Sequence, residues 1–327
     1  MHFHRQPGPG YLSIERLFRE IRMAMPADVR CSTHTCPRFS KGVFPRLVNM
    51  ADAARHQAQV NHVTGDVHYL LMSLNGRRTL LTVHDCATLE RLGGLKRAAF
   101  KLIWYTLPVR RAGLVSVVSE ATRRELLRHV HCDPAKIRVI HNCVASDFVP
   151  APKKFNDSDP ELLHLGTAAN KNLERVIEAL AGLRCHLNII GTLTTAQRAL
   201  LEQQGIRHSN IPRATDAEVV RAYQACDMVV FASAYEGFGL PIVEANATGR
   251  PVVTSDLLSM PEVAGKAACL VDPYDCASIR TGVLRVWRDA AYRDSLVQAG
   301  LENAKRFTPK AVAEKYASLY RELAAQV

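Results

Sequence analysis

The sequence predicts an α/β protein of two Rossmann-like, doubly wound domains, and three observations carry that reading. At 327 residues the chain exceeds the roughly 250 to 300 at which a single core stops growing. Strand-like apolar runs alternate with helical patterns along the whole length, as parallel βαβ units require. The clearest unit runs from Met228-Val229-Val230-Phe231-Ala232 through Glu236-Gly237-Phe238-Gly239-Leu240-Pro241 into Ile242-Val243. It has the continuous apolar run of a buried parallel strand, then a glycine loop, then a helix opened by proline.

The remaining elements follow in order. Few residues precede Pro7-Gly8-Pro9-Gly10, so the first strand is very short. Behind Ser13, an expected N-cap, Ile14, Leu17, Phe18, Ile21 and Met25 keep helical spacing. Val67 to Leu74 and Thr79 to Val83 read as strands, the second ending at His84-Asp85. Leu114 to Val118 reads as a buried strand. It is followed by a helix from Ser119-Glu120 through Val130, a turn opened by Asp133-Pro134, and a strand from Ile137 to Ile140. The polar, aperiodic stretch Ala151 to Pro160 reads as an interdomain linker.

The second half repeats the scheme. A strand at Leu162 to Leu165 leads into Gly166-Thr167-Ala168-Ala169-Asn170-Lys171-Asn172, a helix from Leu173 to Leu183, and a strand from His186 to Ile190. Capping boxes pair Thr194 with Gln197 and Thr215 with Glu218. After the glycine-loop unit come strands at Pro251 to Thr254 and Ala268 to Val271, then three helical patterns, the last from Pro309 to Leu323.

Composition removes several function classes. No apolar run reaches the ~18 residues of a membrane span, and the start lacks the apolar core of a secretion signal. The nine cysteines are scattered and form no Cys-x-x-Cys pair, which points to reduced thiols in a cytoplasmic protein. Cys31, His34 and Cys36 cluster, but no second pair of ligands follows at zinc-site spacing. The net charge of +11 is one-sided: residues 1–150 hold 22 Lys/Arg against 11 Asp/Glu, and the rest hold 20 of each. A basic half suits nucleic acid, an anionic membrane or a phosphate-bearing acceptor. Between residues 93 and 113, Lys96, Arg97, Lys101, Arg110 and Arg111 interleave with Phe100, Leu102, Ile103, Trp104, Tyr105 and Leu107, which suits a membrane surface or an amphipathic core helix. No nucleic-acid motif accompanies the charge, so no specific nucleic-acid partner is expected.

The candidate site follows from the loops at the carboxyl ends of the strands, where open α/β sheets bind ligands. Gly237 and Gly239 leave main-chain N–H groups accessible, the helix start adds positive potential, and Glu236 and Glu244 stand at either end of the loop. Lys171, at the start of another helix on the same sheet edge, supplies a point charge. Such a set suits a polyhydroxylated ligand that carries phosphate.

These residues resemble the Glu-x7-Glu element and glycine–lysine loop of the retaining, GT-B-type glycosyltransferases, in particular family four, also called group 1. Val117 to Thr122 and Lys136 to Val144 resemble first-domain segments of the same family. Two departures stand out. Thr167 and Ala168 occupy the place of the arginine usually found after the glycine, and His141-Asn142-Cys143-Val144 stands where Pro-Asn-Gly-Val is usual.

The resemblance implies a GT-B fold, two Rossmann-like domains facing a cleft, divided as 1–150, 151–308 and a terminal helix 309–327 crossing back to the first. It implies transfer of a hexosyl group, mannosyl or glucosyl in type, from a nucleoside diphosphate sugar to a hydroxyl of a glycan or lipid-linked acceptor in cell-surface polysaccharide synthesis. His84, facing donor sugar and acceptor, and Glu236, facing the donor sugar, would be the catalytic residues. Gly10 in the Pro7–Gly10 loop, Gly166, Lys171, Asn172, Gly237, Phe238, Gly239, Leu240 and Glu244 would bind the donor, Glu244 through the ribose. The resemblance implies neither a metal nor a cofactor beyond the donor substrate. A cytoplasmic enzyme, peripheral on the inner membrane face through residues 93–113, would follow. Two rival classes share parts of this pattern: a sugar-nucleotide epimerase of the same architecture, and a non-catalytic basic protein that binds membrane or nucleic acid.

Overall fold

A computed structural model describes residues 1–8 and 13–326. The chain divides into two compact units, Met1–Cys143 with Pro309–Val327, and Val144–Thr308.

The first unit is built on β1 (His2–His4), β2 (Thr33–Thr35), β3 (Asn61–Val63), β4 (Thr79–Val83), β5 (Leu114–Val117) and β6 (Ile137–Val139). All pairings are parallel, in the order β2-β1-β3-β4-β5-β6. Helices Ser13–Met23 and Pro309–Ala324 cover one face, burying Phe18, Ile21, Val312, Tyr316 and Leu323 with Leu80 and Leu114. The other face buries Leu81, Val83, Val115 and Val117 with Tyr69, Trp104 and Val109.

The expected strand at Val67 to Leu74 is not one. His68–Met72 forms a tight 3₁₀ turn, and Val67, Leu70, Leu71 and Leu74 enter the core at helical spacing. The strand position between β1 and β4 belongs to Asn61–Val63, a polar segment without an apolar signature. It is tolerated inside because its polar groups are paired: Asn61 Oδ1 accepts from the Ala58 N–H, and both His62 nitrogens are hydrogen-bonded.

Residues 94–111 are helical throughout, with a wide π-type turn at Leu102–Thr106 ahead of Pro108. Proline has no N–H for the carbonyl four residues back. The Trp104 carbonyl instead accepts from His68 Nδ1 at 2.6 Å. Trp104, Tyr105 and Val109 face the core, whereas Leu95, Leu102 and Ile103 face solvent.

The second unit is built on β7 (Glu161–Leu165), β8 (His186–Ile190), β9 (Arg207–Ile211), β10 (Met228–Phe231), β11 (Val252–Ser255) and β12 (Cys269–Val271). They are again parallel, in the order β12-β11-β10-β7-β8-β9. β9 has no counterpart in the sequence reading. It is an edge strand of exposed polar residues, Arg207-His208-Ser209-Asn210, that carries no apolar periodicity. Both expected capping boxes form. Residues 151–159 adopt neither helix nor strand and are tied to this unit by Lys153, whose Nζ lies 2.7 Å from the buried Asp227 carboxylate. The sheet reverses its winding between β7 and β10, and at such a switch point the loops leaving adjacent strands part and open a crevice.

Candidate functional site

The loops after β7 and β10 leave the sheet on either side of that switch point. Lys171 and Glu236, 65 positions apart in sequence, meet there, with Nζ 2.7 Å from Oε1. Their side chains are 23% and 15% exposed, so the pair is accessible but partly shielded from water. Ser233 Oγ also lies 2.7 Å from Glu236 Oε1, and Ser259 Oγ donates to the Glu236 carbonyl at 2.9 Å. The ammonium sits 5.1 Å from the centre of the Phe231 ring.

Local backbone chemistry puts these groups in place. Gly166 has φ +86°, and a Cβ there would come within 2.8 Å of the Lys171 stem, so glycine lets the lysine lie across its own loop. Asn172 holds a left-handed conformation, φ 61°, which asparagine tolerates better than most residues. Its Nδ2 donates to the carbonyls of Ala232 at 2.9 Å and Pro273 at 2.7 Å, and its Oδ1 accepts from Arg175. With 2% exposure, Asn172 serves the site by fastening the β7 loop to the end of β10. Asn170 adds to the seam: Nδ2 donates to the Tyr235 carbonyl, and its own carbonyl accepts from the Ala234 N–H.

Gly239, φ 96°, caps the helix Leu240–Thr248 with Pro241 in its first turn. Phe238 is buried and stacks edge-on against Phe307 at 5.6 Å, which anchors the glycine loop by its middle. Glu244 lies one turn into the helix, and Oε2 accepts from the hydroxyl of buried Tyr223 at 2.6 Å. Burial, reinforced by this carboxylate, pushes the Tyr223 hydroxyl well above its usual pKa, so it stays a donor. Tyr223, Ser233 and Ser259 had no signal in the sequence, since each reaches the loop through tertiary packing or an irregular turn.

In the first unit, His84 follows the carboxyl end of β4. Its Nε2 lies 2.8 Å from the Thr64 carbonyl, which can only accept, so Nε2 carries the proton and Nδ1 is the acceptor. Burial lowers its pKa, and the ring is neutral at pH 7. Gly10 lies outside the described residues. The interior holds a further network that the sequence did not announce: His2 Nε2 and His62 Nδ1 both reach the Tyr320 hydroxyl, at 2.9 and 2.7 Å, and His62 Nε2 reaches Thr82.

A cavity of about 470 Å³ opens at the opposite, amino ends of β10 and β11, beside Lys153, Asp227, Arg250 and Arg293. Its two buried arginines donate to main-chain carbonyls, Arg250 to Tyr223 and Gln224, Arg293 to Val286 and Trp287. They tie the fold together there, and the convergent acid–base pair lies at the other edge of the sheet.

Two family descriptions match consecutive parts of the chain: Glycosyltransferase Family 4 over residues 13–148 and glycosyl transferases group 1 over residues 146–303. The O-antigen chain mannosyltransferase B of Escherichia coli is 29% identical over 218 residues, 60% of this chain and 57% of that protein. The chain therefore spans a little over half the length of that relative. A sucrose-phosphate synthase from Thermosynechococcus elongatus superposes with a TM-score of 0.79 at 17% identity, covering 100% of this chain and 99% of that one. HepE of Anabaena, solved in complex with UDP and glucose, gives 0.76 at 15% identity, covering 97% and 98%. At these identities the structural likeness concerns the fold, which is GT-B.

Proposed function

Because the chain belongs to the group 1 glycosyltransferases, we propose that it transfers a hexosyl group, mannosyl or glucosyl in type, from a nucleoside diphosphate sugar to a hydroxyl of a glycan or lipid-linked acceptor, with retention at the anomeric carbon. The observation that carries this reading is the meeting of Lys171 with Glu236 at the switch point, beside the helix that presents Glu244. The mannosyltransferase relative supports a hexosyl donor and a role in cell-surface polysaccharide synthesis.

In this reading Lys171 and the main-chain N–H groups from Phe238 to Leu240 receive the diphosphate, and Glu244, held by Tyr223, receives the ribose hydroxyls. Glu236 passes from Lys171 to the hydroxyls of the donor sugar as phosphate takes up the ammonium. The bond from the anomeric carbon to the diphosphate oxygen breaks and the acceptor oxygen bonds on the same face. The acceptor proton leaves to the departing diphosphate, so charge and atoms balance. Glu236 and Glu244 position the donor, and neutral His84 offers Nδ1 as acceptor to a sugar hydroxyl.

Peripheral membrane binding is part of the same proposal. Leu95, 90% exposed, and Leu102, Ile103 and Leu107 stand among Lys96, Arg97 and Lys101; Phe39, Val43, Phe44 and Leu47 are exposed beside Arg38 and Lys41. Arg46 packs its guanidinium 4.6 Å from the centre of the Trp104 ring and joins the two segments. Exposed apolar side chains ringed by cations suit an anionic bilayer.

The test is a thermal-shift screen of nucleoside diphosphate sugars. A donor at a hundredfold excess over its Kd stabilises by about 2.7 kcal/mol. One donor should raise Tm in the native protein and not in Glu244→Gln. A response preserved in Glu244→Gln would remove the ribose assignment, and no response to any donor, with or without anionic vesicles, would sink the proposal.

A further inference from the structure

On the first unit the chain gathers two imidazoles around one carboxylate. His34 lies on β2, an edge strand; Asp52 lies in the last turn of the helix Val43–Arg55, and His56 caps that helix. His34 Nε2 is 2.5 Å from Asp52 Oδ2, and His56 Nδ1 is 3.6 Å from Asp52 Oδ1. The two rings stack with centroids 4.2 Å apart, and one ligand-competent atom from each residue lies within 4.8 Å of the others. The sequence grouped His34 with Cys31 and Cys36, but the fold turns it toward Asp52 instead.

We propose that His34, Asp52 and His56 bind a divalent transition-metal ion of the zinc class, which clips the edge strand β2 to the helix Val43–Arg55. Two imidazole nitrogens and a carboxylate oxygen are a donor set that zinc accepts, with a fourth position left for water. Asp52 and His56 are one helical turn apart and therefore share a face. His34 comes from a separate element, so the chain closes the set only when folded. Binding requires local changes: His34 Nε2 and His56 Nδ1 now face accepting oxygens of Asp52, so each ring has to free that nitrogen of its proton, and the rings have to move. A nitrogen lone pair lies in the plane of its ring, so two stacked imidazoles have to tilt apart to share an ion. His56 has room for this: its side chain is 47% exposed, and Nδ1 would exchange a 2.8 Å bond to the Asp52 carbonyl for the metal.

The experiment uses the full chain after chelator treatment, titrated with Co²⁺ and read by visible absorption, with Zn²⁺ competing and Tm measured alongside. The expected result is a single ion with d–d bands and no thiolate charge-transfer band, displaced by Zn²⁺, which raises Tm. Removing an outer-shell partner of a metal weakens binding about 10- to 100-fold, and losing a ligand in His56→Ala or Asp52→Asn should exceed that. His208→Ala, on the exposed edge of the second unit, should leave binding intact. His56 is exposed at a helix end, so His56→Ala keeps the test decisive even where His34→Ala disturbs β2. No d–d band, a thiolate band, or a band unchanged in His56→Ala would overturn the proposal.

Discussion

Replacing Asn172 by alanine tests how the β7 loop is held against β10. The substitution takes away two things. Alanine at φ 61° carries part of the roughly 1–2 kcal/mol that left-handed backbone costs an ordinary L-residue. It also removes both Nδ2–H donors and leaves the buried carbonyls of Ala232 and Pro273 without them, at about 1 kcal/mol each. The sum is about 3 kcal/mol. At about 2–4 °C per kcal/mol for a domain of this size, Tm should fall by roughly 6–12 °C. Asn172→Gly separates the two parts, because glycine adopts the same backbone freely; it should recover about 1 kcal/mol and keep the rest of the loss. Urea unfolding of the three proteins, followed by fluorescence and circular dichroism, gives the differences. A loss below about 1 kcal/mol in Asn172→Ala, or a glycine variant no more stable than the alanine one, would refute the assignment of these bonds.

Three further predictions follow from the same geometry. Lys171→Ala should lower kcat/KM for the donor about 10- to 100-fold, the scale of one hydrogen bond to a charged group, with Tm changed little; equal turnover would exclude Lys171 from the diphosphate site. Gly282→Ala should destabilise the second unit by about 1–3 kcal/mol, because a Cβ there would lie 2.4 Å from Val271 Cγ1 in a filled core; calorimetry showing no change would mean the core yields freely. Stability should fall as pH drops from about 6.5 toward about 4. Burial holds His4 and His164 near pKa 4 in the folded chain against 6.5 when unfolded, and it lowers buried His2 and His62 as well. Between those values the unfolded chain binds more protons, so each of His4 and His164 removes up to about 3 kcal/mol by the acid end and nothing above about pH 7.5. Urea midpoints that stay level from about pH 8 to about pH 5 would contradict this.

The arrangement that local chemistry dictates was legible in the amino-acid sequence. A strand such as Met228–Phe231 announces itself by an unbroken apolar run, Gly239 and Pro241 mark a helix start, and Thr194–Gln197 and Thr215–Glu218 cap helices by bonds closed within four residues. Those signals place Glu236, Glu244 and Lys171 at strand ends and helix starts without reference to anything distant. Where local pattern was ambiguous it misled: the apolar run from Val67 fits helical spacing as well as a strand, and the polar strands Asn61–Val63 and Arg207–Ile211 carry no periodicity. Only the tertiary structure decided that Lys171 pairs with Glu236, that Tyr223 holds Glu244, and that Asn172 turns inward. Each depends on strand order, since β7 and β10 become neighbours only when the sheet reverses its winding, and strand order is set by which faces bury their apolar residues together rather than by the residues that meet as a result.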